Sequence, residues 1–161
     1  MKTYPTVRRA QVESKDFFLN FIFGQSRAFW TLFNHIKSRN IAMTAPVEFD
    51  FANADASRKF LGSTDWTMSF LYRTPALGPT GNAGNDVLVV DRPEVTVLSI
   101  GVEGEFSFNL LNKSVDRLRE VLKSQTKWVI AGEPRFFGYN SPMVKAKWAE
   151  VQIPVKVASA N

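Results

Sequence analysis

Two side chains stand out as candidates for chemistry, His35 and Glu150. His35 is the single histidine of a 161-residue chain that contains no cysteine. Without cysteine there can be no disulfide, thiolate metal site or thiol nucleophile, and one imidazole cannot build a His-rich metal cluster. Glu150 lies in the alternating segment Trp148-Ala149-Glu150-Val151-Gln152-Ile153, on a face with Trp148 and Gln152 and opposite Ala149, Val151 and Ile153. Turned inward among aromatic rings, its carboxyl would have a raised pKa and could serve as a base. Turned outward, it would pair with Lys147 or Arg135, and the outward arrangement is the expectation carried forward.

No other catalytic constellation is present. Leu77-Gly78-Pro79-Thr80-Gly81-Asn82 has no lysine after it and is not a phosphate loop. No Ser-His-Asp order surrounds a nucleophile elbow. The net charge is +5, but Arg8, Arg9, Arg27, Lys37, Arg39, Lys145 and Lys147 are scattered rather than gathered in a stripe. That distribution suits small acidic ligands at least as well as nucleic acid, and no nucleic-acid partner is expected.

The elements that must position these residues fit one domain, because chains commonly divide only above roughly 250 residues. Hydrophobic residues make up 45%, and 14 Phe, 4 Trp and 3 Tyr give an aromatic excess suited to a core or to a pocket for flat ligands. No apolar run approaches the roughly 20 residues of a membrane span. The opening Met1-Lys2-Thr3-Tyr4-Pro5 lacks the apolar stretch of a signal peptide, which predicts a cytoplasmic protein.

Helical periodicity runs from Gln25 to Ser38, with Phe29, Leu32, Phe33 and Ile36 on one face and Ser26 as N-cap. Trp30 falls off that stripe. A second helix runs from Asn112 or Ser114 to Ser124, with Val115, Leu118, Val121 and Leu122 on a stripe and Asp116 and Glu120 in register with Arg119 and Lys123. Trp66–Tyr72, Val95–Ile100 and Trp148–Val157 alternate as strands, and Thr74–Asn85 is a long surface loop.

An internal duplication is legible. Tyr4-Pro5-Thr6-Val7 matches Arg92-Pro93-Glu94-Val95, and each is followed by an aromatic patch, Phe17-Phe18-Leu19-Asn20 or Phe106-Ser107-Phe108-Asn109. A helix ending in Lys-Ser comes next. Then come a strand with proline (Met43–Val47, Tyr139–Met143) and a strand opened by Trp66 or Trp148. The order is β-α-β-β, twice, over about 4–75 and 92–157.

Ala28-Phe29-Trp30-Thr31-Leu32-Phe33-Asn34-His35-Ile36 followed by Ile41-Ala42-Met43-Thr44-Ala45-Pro46-Val47 resembles the helix and I-x-M-T-x-P-V strand of the SOUL heme-binding family. So do Tyr72-Arg73-Thr74-Pro75, Asp91-Arg92-Pro93-Glu94, Gly138-Tyr139-Asn140-Ser141-Pro142 and Glu150-Val151-Gln152-Ile153-Pro154-Val155, in order over nearly the whole chain. The resemblance implies an α+β fold, a distorted β-barrel with two flanking helices. It also implies a binding protein, not an enzyme, whose ligand is heme or another tetrapyrrole carried or buffered in a shallow cleft; a monomer is expected.

By the resemblance, Phe29, Leu32, Phe33 and Ile36 form the wall of that cleft. His35 beside them is the one imidazole that could reach a heme iron, yet relatives often carry tyrosine at the matching place, so no metal ligand is expected. Lys145, in the loop after Pro142, is the preferred cation for the propionates, with Arg39, Arg27 and Lys147 as others. The connection Lys37-Ser38-Arg39-Asn40-Ile41 is shorter than the family's usual glycine-containing loop, which predicts a more open pocket. The wider superfamily includes effector-binding domains that place a glutamate inside the barrel toward cationic aromatic ligands. That gives the alternative, an effector-binding or hydrolase-like barrel using Glu150 with Trp66, Trp148 or Tyr139.

Overall fold

The computed structural model describes residues 1–14, 19–51, 65–104, 106–140 and 144–159. In chain order they form β1 (Lys2–Tyr4), β2 (Val7–Ser14), α1 (Leu19–Ser38), β3 (Val47–Phe51), β4 (Trp66–Leu71), β5 (Gly81–Asn82) and β6 (Leu88–Arg92). There follow β7 (Val95–Glu103), α2 (Phe108–Lys123), β8 (Trp128–Ile130), β9 (Arg135–Gly138) and β10 (Trp148–Val157). The strands make one antiparallel sheet in the order β1-β7-β10-β9-β3-β4-β2-β6-β5, with β8 paired to the end of β10.

The α+β class is as expected, but the barrel is not closed. No ladder joins the edge strands β1 and β5. Pro5 and Pro93, at the corners leading into β2 and β7, have no N–H with which to extend the pairing.

Alternation decides which face the helices cover. Ala10, Phe70, Val47, Gly138 and Ala149 lie side by side across five strands. Two residues along, Val12, Met68, Phe49, Phe136 and Val151 form a second row, all of it buried. α1 packs over β2 and β4, and α2 over β7 and β10, so both helices close one core on this face. α2 contributes Leu111, Val115, Leu118 and Leu122, and its outer side carries the expected pairs Asp116–Arg119 and Glu120–Lys123. The opposite face is polar yet also buried: Arg9, Gln11, Glu48, Ser69, Arg135, Glu150 and Gln152 all lie there. The sheet therefore coils over its own polar face.

Both helices begin earlier than their polar periodicity suggested. α1 starts at Leu19, which puts Ser26 inside the helix rather than at its cap. Leu19 and Asn20 of the first aromatic patch open α1, while Phe17 and Phe18 lie outside the described residues. α2 starts at Phe108, and Ser107 caps it by accepting a hydrogen bond from the Leu110 amide at 3.1 Å. The proline-containing strands shrink: only Val47 of Met43–Val47 belongs to β3, and Tyr139 and Asn140 follow β9 without extending it. Ser141, Pro142 and Met143 lie outside the described residues.

Candidate ligand cleft beside the first helix

The cleft is founded on the way α1 ends. The Ile41 amide donates to the Ile36 carbonyl at 2.9 Å, and the Asn40 amide donates to the Lys37 carbonyl at 3.1 Å. Asn40 takes the left-handed conformation, φ 55°. These are the two bonds of a Schellman motif, and its usual apolar clasp is the buried pair Ile36 and Ile41. Asn40 thus stands where a glycine would be expected, which is how so short a connection turns the chain. Ala42 and Met43 then leave the helix end and fold back beside it.

The result is a shallow hollow of about 310 Å³ lined by Phe33, Ile36, Lys37, Asn40, Ile41, Ala42 and Met43. Next to it lies a surface of three rings. Phe29 and Phe33 stack with centroids 6.1 Å apart and planes 10° apart, and Trp30 meets both edge-on at 5.6 and 5.5 Å. Phe29 is anchored from below by an edge contact with Phe70 at 5.3 Å. Trp30 is 57% exposed and Met43 42%, so this apolar surface faces solvent.

The four expected wall residues divide. Phe29 and Phe33 are half-buried and show ring surface, and Ile36 lines the hollow from its base. Leu32 is completely buried in the core, because the helix stripe that meets β2 and β4 runs through Ala28, Leu32 and Ile36. Leu32 supports the wall from behind. Trp30, Lys37 and Met43 take its place at the surface. The Trp30 indole is reached because i, i+1 and i+4 on one helix curve around its side, beyond the core stripe.

His35 is turned away from this surface. It is buried, its Nε2 lies 2.7 Å from the Tyr72 hydroxyl, and its Nδ1 lies 3.0 Å from an Arg39 guanidinium nitrogen. Both ring nitrogens are engaged, so neither is presented to a metal. Burial, and then the Arg39 charge, lower the imidazole pKa. Arg39 also donates to the Ala83 carbonyl at 3.3 Å, which ties it to the loop before β6 and not to the hollow. Among the described residues no group of three or more His, Asp or Glu is placed to hold a metal ion.

Lys145 is exposed in the loop between β9 and β10. The register Val47↔Gly138↔Ala149 puts that loop at the end of the sheet where the chain comes in from Met43. Lys145 is therefore near the same end as the hollow but not in its lining; Lys37 is in the lining. Arg27 is exposed one turn before Trp30.

Glu150 does not take the outward position. It lies on the helix-free face and is 5% exposed. Lys2 Nζ contacts both of its oxygens at 2.9 Å, Tyr139 donates at 2.9 Å, Gln152 at 3.1 Å and Tyr4 at 3.2 Å. Arg135, one expected partner, pairs with Glu48 instead. Burial pushes the Glu150 pKa up, but hydrogen bonds from Lys2, Ser99 and Tyr139 outweigh it, and the carboxyl titrates below its ordinary range. The raised pKa of a base is thus absent. Sequence reasoning missed Lys2 and Tyr4 because their approach depends on β1 pairing with β7.

Comparison with known proteins agrees with the fold. The C-terminal domain of EcmrR superposes with a TM-score of 0.73 at 13% identity, covering 96% of this chain and 94% of that one. An uncharacterized conserved protein from Listeria innocua gives 0.67 at 13%, covering 96% and 91%. A protein described as a hydrolase from the same organism gives 0.64 at 11%, again covering 96% and 91%. No curated protein sequence matches the chain. No helix among the described residues is long and apolar enough to cross a membrane. The SOUL heme-binding protein family, a non-catalytic binding family, matches residues 1–154, and the chain belongs to it.

Proposed function

We propose that the protein binds heme or another tetrapyrrole flat against Phe29, Trp30 and Phe33, with one edge entering the hollow bounded by Ile36, Ile41 and Met43, and carries or buffers it without chemistry. The observation that supports this is the solvent-facing ring surface centred on Trp30, 57% exposed, directly beside that hollow. Its residues fit a porphyrin: flat apolar rings on one side, a thioether at the edge, and lysine at the rim for a propionate. Burial of apolar area contributes about 25 cal/mol per Å², before ordering costs, so contact alone can give micromolar affinity. A rim cation such as Lys37, Lys145 or Arg27 adds about 0.2–1 kcal/mol.

Titration with hemin and with metal-free protoporphyrin, followed by Soret absorption and tryptophan quenching, tests the reading. Saturable binding of both is expected, and Phe33→Asp should abolish it while the thermal transition persists. Absence of binding to the intact protein would refute the proposal.

A second reading is favoured by one observation, the buried Glu150 carboxylate ringed by Tyr4 and Tyr139. A hydrophobic cation could take this place, but only by displacing Lys2. A tetraarylphosphonium that binds the intact protein, but not Glu150→Gln, would support it over the tetrapyrrole.

A further inference from the structure

Charge is spread unevenly along this chain. Its 161 residues include 15 Asp and Glu, yet none falls between Asp16 and Glu48. That stretch holds all of α1 and the turn after it, with Arg27, Lys37 and Arg39 as its lysines and arginines. Arg39 is engaged by His35 and the Ala83 carbonyl. Arg27 and Lys37 are exposed, and among the described residues neither meets a carboxylate.

Their places on the helix matter. Arg27 lies one turn before Trp30 and Lys37 two turns after it, so the two cations flank the exposed indole on the outer side of α1. Phe33 and the 42% exposed Met43 continue the apolar surface, and the hollow they line has no carboxylate in its lining. The loop between β9 and β10, at the same end of the sheet as Met43, repeats the pairing with Val144 44% exposed beside Lys145.

An exposed apolar patch rimmed by polar groups marks a docking surface. Charge and size decide what it docks on. In an isologous dimer the patch would meet itself, setting Arg27 and Lys37 against their own counterparts. It is also far smaller than the roughly 20–30 residues a side of a stable protein interface. A lipid surface asks for what is present: an indole and apolar side chains at headgroup depth, cations beside them, and no acid in the helix to repel anionic headgroups.

We propose that this face of α1 docks peripherally on an anionic lipid surface. Trp30 and Met43 enter the headgroup layer, while Arg27, Lys37 and Lys145 meet the charged lipid headgroups. Docking itself needs no tetrapyrrole. One consequence does rest on the tetrapyrrole reading: an amphiphile dissolved in the lipid would reach the α1 cleft without crossing water.

The intact protein, without added tetrapyrrole, is floated with vesicles of phosphatidylcholine alone or with about one-third phosphatidylserine. The anionic vesicles should bind it at least about tenfold more tightly, with a blue shift of tryptophan emission. Salt at about 0.5 M should remove most of that preference. Trp30→Ala should abolish the blue shift, and Lys37→Glu should weaken vesicle binding about tenfold. If either variant does not fold, the lipid and salt comparisons on the unmodified protein decide alone. Hemin titration in vesicle-free buffer is read separately, so failure of the tetrapyrrole reading leaves docking standing, and the reverse. Equal binding to the two vesicle types, binding to neither, undiminished binding by a folded variant, or a dimer that Trp30→Ala dissociates would each overturn the proposal.

Discussion

The guanidinium of Arg39 lies 3.0 Å from Nδ1 of His35, one helical turn before it. Arginine can only donate, so Nδ1 accepts and carries no proton. The neutral ring then has its proton on Nε2, which donates to the Tyr72 hydroxyl 2.7 Å away. The single imidazole of the chain is thereby fixed in one tautomer inside the protein, behind the ring surface and not upon it.

His35→Ala should therefore leave hemin affinity within about threefold, less than 1 kcal/mol. Metal-free protoporphyrin should bind about as well as hemin, because no coordinate bond is in play. An iron-selective loss in the variant, seen as a shifted Soret band, would show that His35 reaches the metal after all.

The same geometry sets a pH dependence. The folded imidazole pKa is lowered by burial and by Arg39, whereas the unfolded value stays near about 6.5. Between the two, the unfolded chain binds more protons, so stability is complete above pH about 6.5 and is lost as the pH falls toward the folded value. Melting temperatures measured from pH 8 to 5 should decline below about 6.5 in the parent. His35→Gln should lack that step, and an unchanged decline in the variant would assign it elsewhere.

Asn40 offers a test of the turn that shapes the hollow. Its φ of 55° is tolerated by asparagine, is natural for glycine, and is costly for a β-branched residue. Asn40→Val should destabilise by about 1–2 kcal/mol and weaken porphyrin binding, while Asn40→Gly should be near neutral in a denaturant melt.

Neighbouring helix positions should separate packing from binding. Leu32→Ala removes a completely buried side chain and should cost about 2–5 kcal/mol with little direct effect on hemin affinity once the protein is folded. Trp30→Ala, at a site 57% exposed, should leave the melt nearly unchanged yet reduce hemin affinity about tenfold. The opposite pattern would move the ligand away from the rings.

Much of this arrangement was legible because its causes are local. β10 has the bounds its alternation gives, and the Asp116–Arg119 and Glu120–Lys123 pairs follow from helical spacing alone. Three features were not. The start of α1 is hidden because the aromatic run from Phe17 to Phe23 has no polar face to set its period. Leu32 and Phe33 fall on the same broad stripe, and only the packing against β2 and β4 decides which one is core. Glu150 meets Tyr4 across 146 residues, a contact created by strand order and invisible to any local pattern.

At the centre of the sheet, Arg9, Arg92 and Arg135 form an ion cluster with Glu48 and Asp50. Glu48 is 0% exposed, and Arg135 Nε donates to it at 2.8 Å from the neighbouring strand. Arg135→Met removes the principal partner and leaves Glu48 with Arg9 alone at 3.2 Å, which should cost about 3–5 kcal/mol. Glu48→Met should also destabilise, since Asp50 would then face all three guanidiniums. The double variant removes one charge of each sign and leaves Arg9 and Arg92 on Asp50. It should therefore recover much of the loss, because an apolar pair of similar size commonly replaces a buried ion pair with little penalty. A double-mutant cycle from urea melts measures this. Additive losses in the double variant would mean that each side chain is held by contacts other than their mutual pairing.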